Sequence, residues 1–199
     1  MGLDGIELIC DIEKQFDITI TDNEAMCMLT VNDIVNVVGL KLSMYPENTF
    51  IYKQLFLKLK DIFVSLGLKE EYVTINSEII SLIPKEKLDE YWEHIKDKLQ
   101  LKLPENTILN YIPVTEEDVK VKIFGKVVYK KNKRIRNYTL HTLINYIISL
   151  NYKKLIDLSK ISDRYEVERV ICGIIADKMY IDIHEIELEY QIVRDLGID

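Results

Sequence analysis

The sequence is short of the residues that staple, punctuate or specialise a chain. Its 199 residues hold three cysteines, four prolines, seven glycines and one tryptophan. Cys10, Cys27 and Cys172 are odd in number and far apart, which argues against a disulfide framework and predicts reduced thiols in a cytoplasmic protein. The glycines stand singly, so no Gly-rich loop is offered to a phosphate. Neither a Gly-x-Ser-x-Gly nor a His-Glu-x-x-His pattern occurs, and nothing invites a catalytic reading. His94, His141 and His184 sit in three different contexts, so a zinc site is not expected. No apolar run approaches the ~18 residues of a membrane span. Met1-Gly2-Leu3-Asp4 lacks the basic-then-apolar order of a secretory leader. Net positive charge is also missing: the formal charge is −7 and the pI about 5.1, which argues against nucleic-acid binding by bulk charge.

What remains is ordinary globular material, 48% hydrophobic and 30% charged, enough for one or two compact domains. The charge is uneven. Residues 1–45 hold 2 basic and 8 acidic groups and residues 159–199 hold 5 and 10, whereas the stretch between them is net basic. The two ends resemble each other electrically, which predicts one structural unit, 1–45 plus 159–199, interrupted by an inserted domain over 46–158.

Periodicity predicts mostly helices. Ile6, Ile9, Ile12, Leu8 and Phe16 recur at three- and four-residue steps over 3–16. Thr30 and Asp33 form a capping-box pair ahead of Val31, Ile34, Val35 and Val38. Leu55, Leu59, Ile62, Phe63 and Leu66 mark another helix, stopped by Gly67. Leu88, Trp92, Ile95 and Leu99 mark a further one ahead of Pro104, with Trp92 expected in the core. Thr139 caps a helix carrying Leu140, Leu143, Ile144, Ile147 and Ile148, and Val167, Val170, Ile171, Ile174 and Ile175 define the last. Alternation from Val119 to Tyr129 around Gly125 predicts a β-hairpin near 119–136. Pro46–Thr49 and 104–118 read as loops. Cys10, beside an apolar face, is expected to be a small buried group.

The two ends are similar to the acyl carrier protein family. Glu168 to Met179 followed by Asp195-Leu196-Gly197-Ile198-Asp199 resembles that family's first helix and the end of its long loop. Leu3 to Ile20 resembles its second helix, Asp22-Asn23-Glu24-Ala25 its short third, and Leu29 to Val35 the start of its fourth. The order is permuted, with the family's first helix at the C-terminal end. The resemblance implies an attachment point for 4′-phosphopantetheine where the family reads Asp-Ser-Leu. Here Asp199 matches the Asp, Leu3 the Leu, and Met1-Gly2 lies between; a second registration sets Gly5 at the serine. Neither supplies a hydroxyl for a phosphodiester. The middle resembles a degenerate second copy, with Leu66 to Val73 as its loop, Pro84-Lys85 where Asp-Ser would stand and Tyr138 to Ile144 opening its fourth helix. Any four-helix bundle with similar loops is the competing explanation.

The resemblance also implies that acids on the second helix dock basic patches of partner enzymes. Asp4, Glu7, Asp11 and Glu13 make such a face, or simply a solvated one. Lys126, Lys130, Lys131, Lys133, Arg134 and Arg136 surround the hairpin, either protecting its edges or meeting an acidic partner. The expected architecture is therefore mainly α: an acyl-carrier-like four-helix bundle plus an inserted helical domain with a hairpin. The expected function is a non-enzymatic, cytoplasmic module binding proteins of fatty-acid, polyketide or peptide synthesis, with no cofactor, metal, nucleic acid or membrane. The alternatives are a genuine phosphopantetheine carrier using Ser77 or Ser81, and a structural protein that keeps only the fold. The ends are expected to close within one chain, with a domain-swapped dimer as the other solution.

Overall fold

A computed structural model of the chain describes residues 2–43, 50–106, 109, 120–123, 126–129, 138–161 and 163–199. It is mainly helical. In chain order come α1 (Leu3–Phe16), α2 (Asp22–Cys27), α3 (Val31–Leu42), α4 (Phe50–Ser65), the single turn α5 (Ile79–Leu82) and α6 (Leu88–Leu99). After two short strands, β1 (Lys120–Ile123) and β2 (Lys126–Tyr129), follow α7 (Leu140–Leu150), the single turn α8 (Tyr152–Leu155) and α9 (Arg164–Met179). β1 and β2 pair antiparallel, Lys120 opposite Tyr129 and Ile123 opposite Lys126. The remainder of 119–136, the Pro46–Thr49 loop and most of 104–118 lie outside the described residues.

Local chemistry starts these helices where the sequence places the caps. The Thr30 hydroxyl accepts from the Asp33 N–H at 3.1 Å, and the Asp33 carboxylate accepts from the Thr30 N–H at 2.8 Å. Thr21 and Glu24 make the same reciprocal pair at α2, and Thr139 accepts from the Thr142 N–H at α7. Each satisfies donors that the first turn of a helix otherwise leaves unpaired. Lys41 holds Glu24 at 2.8 Å, tying α2 to α3 and lowering the Glu24 carboxyl to about 2, with the Thr21 bonds helping.

The centre of the core is α9, which lies against α1, α3 and α7. Its apolar residues are buried on all sides, as a helix enclosed by neighbours requires. Gly173 permits the closest approach: a Cβ there would collide with the Ser149 backbone and the Tyr152 ring. Trp92 is buried and its indole N–H donates to the Pro104 carbonyl at 3.0 Å. Two core expectations fail. Ile6 is 52% exposed and Cys10 also faces solvent. α1 meets the core along Gly5, Leu8, Ile12 and Phe16, which turns Ile6 and Cys10 outward.

Two regions share one backbone plan. α9 and α4 are both 16 residues long, and each is followed by a left-handed residue, Tyr180 (φ 53°) and Gly67 (φ 94°). Each then makes a one-turn 3-10 helix, Ile183–Glu185 and Glu70–Tyr72, and a loop that pairs with the start of a later helix. Val31 N–H donates to the Tyr190 carbonyl, Asn32 N–H to Leu188 and Ile192 N–H to Leu29, at 3.1, 2.8 and 2.9 Å. Leu140 N–H donates to Ser77, His141 N–H to Ile75 and Ile79 N–H to Tyr138, at 2.9, 2.8 and 2.7 Å. The residue spacings in the two sets are the same. Behind them, Val31, Ile34, Val35 and Val38 of α3 are buried at the positions, counted from the cap, that Leu140, Leu143, Ile144 and Ile147 fill on α7.

Candidate docking face

The segment resembling an attachment loop is a structured tail. Ile198 is 2% exposed and anchors it, its N–H donating to the Ile192 carbonyl at 3.1 Å. Gly197 adopts φ 72°, a conformation that favours glycine, and Leu196 is half-buried. The Asp195 carboxylate accepts from the Gln191 N–H at 3.1 Å and from Arg194 at 3.4 Å, so it braces the turn. Asp199 reaches α1: its carbonyl accepts the Gly5 N–H at 2.9 Å, and the Gly2 carbonyl accepts the Ile6 N–H at 3.2 Å. These bonds satisfy first-turn donors of α1.

Gly2 lies so close to Asp199 that any side chain on it would collide with the Asp199 backbone. Gly5 is buried within α1. Neither position presents a reactive group, and at Gly2 there is no space for one without movement of the backbone. In the second region Pro84 precedes the 3-10 turn Lys85–Lys87 ahead of α6. Ser77 is spent on structure, its hydroxyl donating to the Tyr72 carbonyl at 2.7 Å and accepting from the Thr74 N–H at 3.0 Å. The Ser81 hydroxyl donates to the Glu78 carbonyl at 2.7 Å within α5.

The four acids of α1 do not form one equivalent set. Asp4 and Glu7 are exposed, on the first two turns. Asp11 is half-buried and pairs with Lys178 of α9 at 3.2 Å. The Glu13 carboxylate accepts from the Ile20 N–H at 2.6 Å and closes the turn after α1. Two acids face outward and two hold the fold. Beside Asp4 and Glu7 stand Leu3, 70% exposed, and Ile6, so the outward face of α1 is apolar and acidic together. Leu29 and Val193 are exposed at the loop pairing, next to the Ile192–Leu29 bond.

A polar junction missed by sequence reasoning joins the two regions. Arg164 at the start of α9 donates to Asn32 and Asn36 of α3, both at 2.6 Å. In the other region Tyr52 of α4 bonds His141 Nδ1 of α7 at 2.8 Å, and Asn145 bonds His141 Nε2 at 3.1 Å. Tyr165 crosses between them, its hydroxyl donating to Asn145 at 2.8 Å while its ring meets Tyr52 edge-on. Burial pushes the Tyr165 phenol far up; desolvation first and then the Arg169 charge lower His141. Spacing alone held one clue: Asn32 and Asn36, like His141 and Asn145, stand four apart at the second and sixth positions of a capped helix. Both ring nitrogens of His141 are occupied by structural partners.

A groove of about 1200 Å³ runs between the end of α6, α8 and the end of α9, with Lys102, Lys154, Asp97 and Asp177 among its lining residues. Asp177 is already paired with Lys153 at 2.8 Å and Lys154 with the Gln100 carbonyl at 2.7 Å. Among the described residues no group of three or more His, Cys, Asp or Glu is placed to hold a metal ion. Among them, too, no helix is long and apolar enough to cross a membrane. Comparison of the chain with protein-family models, with curated proteins and with solved structures finds no match.

Proposed function

We propose that this chain is a non-enzymatic, acyl-carrier-like module that docks protein partners of acyl or peptidyl transfer pathways and carries no phosphopantetheine arm of its own. In this reading 159–199 and 1–45 make one permuted carrier-like bundle. Residues 46–158 make a second, diverged copy, enlarged by the hairpin segment. The matched loop pairings of Leu188, Tyr190 and Ile192 with Ile75, Ser77 and Ile79 support the duplication.

One observation carries the function. At the point where a carrier would present its serine, Gly2 is pressed against Asp199, and directly beside it Leu3, Asp4, Ile6 and Glu7 stand exposed. This juxtaposition of an exposed apolar and acidic face with a position that carries no side chain supports the reading of a docking module without its own arm. An apolar pair flanked by two exposed acids suits a partner with a basic rim around an apolar centre.

The experiment has two arms. Intact mass after co-expression with a broad-specificity phosphopantetheinyl transferase is expected to show no added arm; a gain localised to Ser77 or Ser81 would establish the carrier alternative. Binding to purified ketosynthases and transferases is then measured at low salt. The Asp4→Lys/Glu7→Lys double variant should weaken capture about tenfold, about 1.4 kcal/mol, with a steep salt dependence in the wild type. Equal affinity for both proteins, or none for either, favours a structural protein that retains only the fold.

A further inference from the structure

α4 carries apolar side chains on opposite sides. Leu55, Leu59, Ile62 and Phe63 are buried against the core. Phe50, Leu57 and Val64 are 61%, 57% and 41% exposed, spaced seven residues apart. At about 100° per residue these three share one arc, roughly 100° wide, with Lys53, Gln54 and Asp61. All six are exposed. The shared plan does not demand apolar residues at the two ends of this arc: the α9 positions corresponding to Phe50 and Val64 hold Asp163 and Asp177, while Leu57 matches the buried Val170.

The charges on the arc are arranged symmetrically about Leu57. Lys53 lies four residues before it and Asp61 four after; Phe50 lies seven before and Val64 seven after. When two such helices run antiparallel about a two-fold axis at Leu57, each Lys53 meets the other copy's Asp61. Each Phe50 then meets the other's Val64, and the leucines meet each other. A parallel pairing would instead bring like charges together.

We propose that this face of α4 is a two-fold, antiparallel dimer interface whose occupant is α4 of a second copy of the chain. An isologous contact requires that residue i meet j while j meets i, and Phe50 with Val64, Lys53 with Asp61 and Leu57 with itself satisfy that condition; only Gln54 has no counterpart on the arc. The contact leaves α9 packed within its own chain, so it is not a domain swap. The helix is about 24 Å long and the patch is small, which sets a weak, reversible association on the order of 10–100 µM.

Sedimentation of the full chain across that concentration range tests the assignment, with circular dichroism reporting the fold of each variant. The wild type should pass from monomer to dimer, and Leu57→Glu should remain monomeric. Lys53→Glu opposes acids to acids and Asp61→Lys opposes bases to bases, so each alone should lose the dimer. Mixed in equal amounts, the two charge-reversal proteins should associate again as a heterodimer, because both cross-pairs become attractive. A wild type that stays monomeric at every concentration overturns the proposal. So does a dimer that survives Leu57→Glu, or folded charge-reversal variants that stay apart when mixed.

Discussion

α9 and α4 are of equal length and open the same loop, but α9 is enclosed by α1, α3 and α7 whereas α4 keeps one wet side. The difference shows which residues the backbone plan requires. Positions facing the following helices are apolar in both, as Ile175 on α9 and Ile62 on α4. Positions facing outward are free to diverge. Ile171 is fully buried where α4 has the exposed Lys58, and Gly173 stands where α4 has Lys60, which pairs with Glu70 at 2.9 Å. One loop-and-helix plan therefore serves as a centre in one region and as an edge in the other.

The largest expected effect breaks that comparison directly. Ile171→Ala removes a fully buried side chain at the crossroads of three helices and should cost ~2–5 kcal/mol in urea unfolding. Lys58→Ala, at the matching position of α4, should change stability by less than about 0.5 kcal/mol. Comparable losses at both positions would show that α4 is covered on that side even in the monomer, contrary to its exposure.

The parts legible in the sequence are those whose causes lie within a few residues. Thr30 with Asp33, Thr139, the stop at Gly67 and the spacing of α3 and α7 are local signals, and the helices they predict are the ones observed. The failures have long-range causes. The side of α1 that meets the core is chosen by α9, so the three- and four-residue steps around Ile6 and Cys10 could not decide between core and solvent. The candidate site is half legible for the same reason. Asp4 and Glu7 are exposed, but Lys178, which pairs with Asp11, comes from the far end of the chain.

A smaller effect lies in the two residues that turn the chain after α9 and α4. Tyr180 is 93% exposed and holds φ 53°, so its side chain contributes little to offset the left-handed backbone. Tyr180→Gly should stabilise by about 0.5–1 kcal/mol, and Gly67→Ala should destabilise by about 1 kcal/mol. A melting-temperature change of the same sign in both would refute the equivalence of the two turns.

The smallest effect depends on pH and sharpens the comparison at the junction. His141 and Asn32 occupy matching positions, the second residue of α7 and of α3, but only His141 is ionisable. Around it stand Tyr52 of α4, Asn145 of its own helix, and Tyr165 and Arg169 of α9. Burial, and secondarily the Arg169 charge, lower its pKa in the folded chain. Between that lowered value and the ordinary one near 6.5, the unfolded chain binds the extra proton and the folded chain does not. Stability from this group is therefore complete above pH 7 and is lost as the pH falls from about 6.5 toward the folded value. The urea midpoint of the wild type should drop between pH 7.5 and pH 5.5. His141→Asn, which installs the residue type found in α3, should remove part of that drop while leaving the midpoint at pH 7.5 close to the wild type. If the variant falls as steeply as the wild type, the proton responsible binds elsewhere and the junction titrates no differently from its counterpart at Arg164, Asn32 and Asn36.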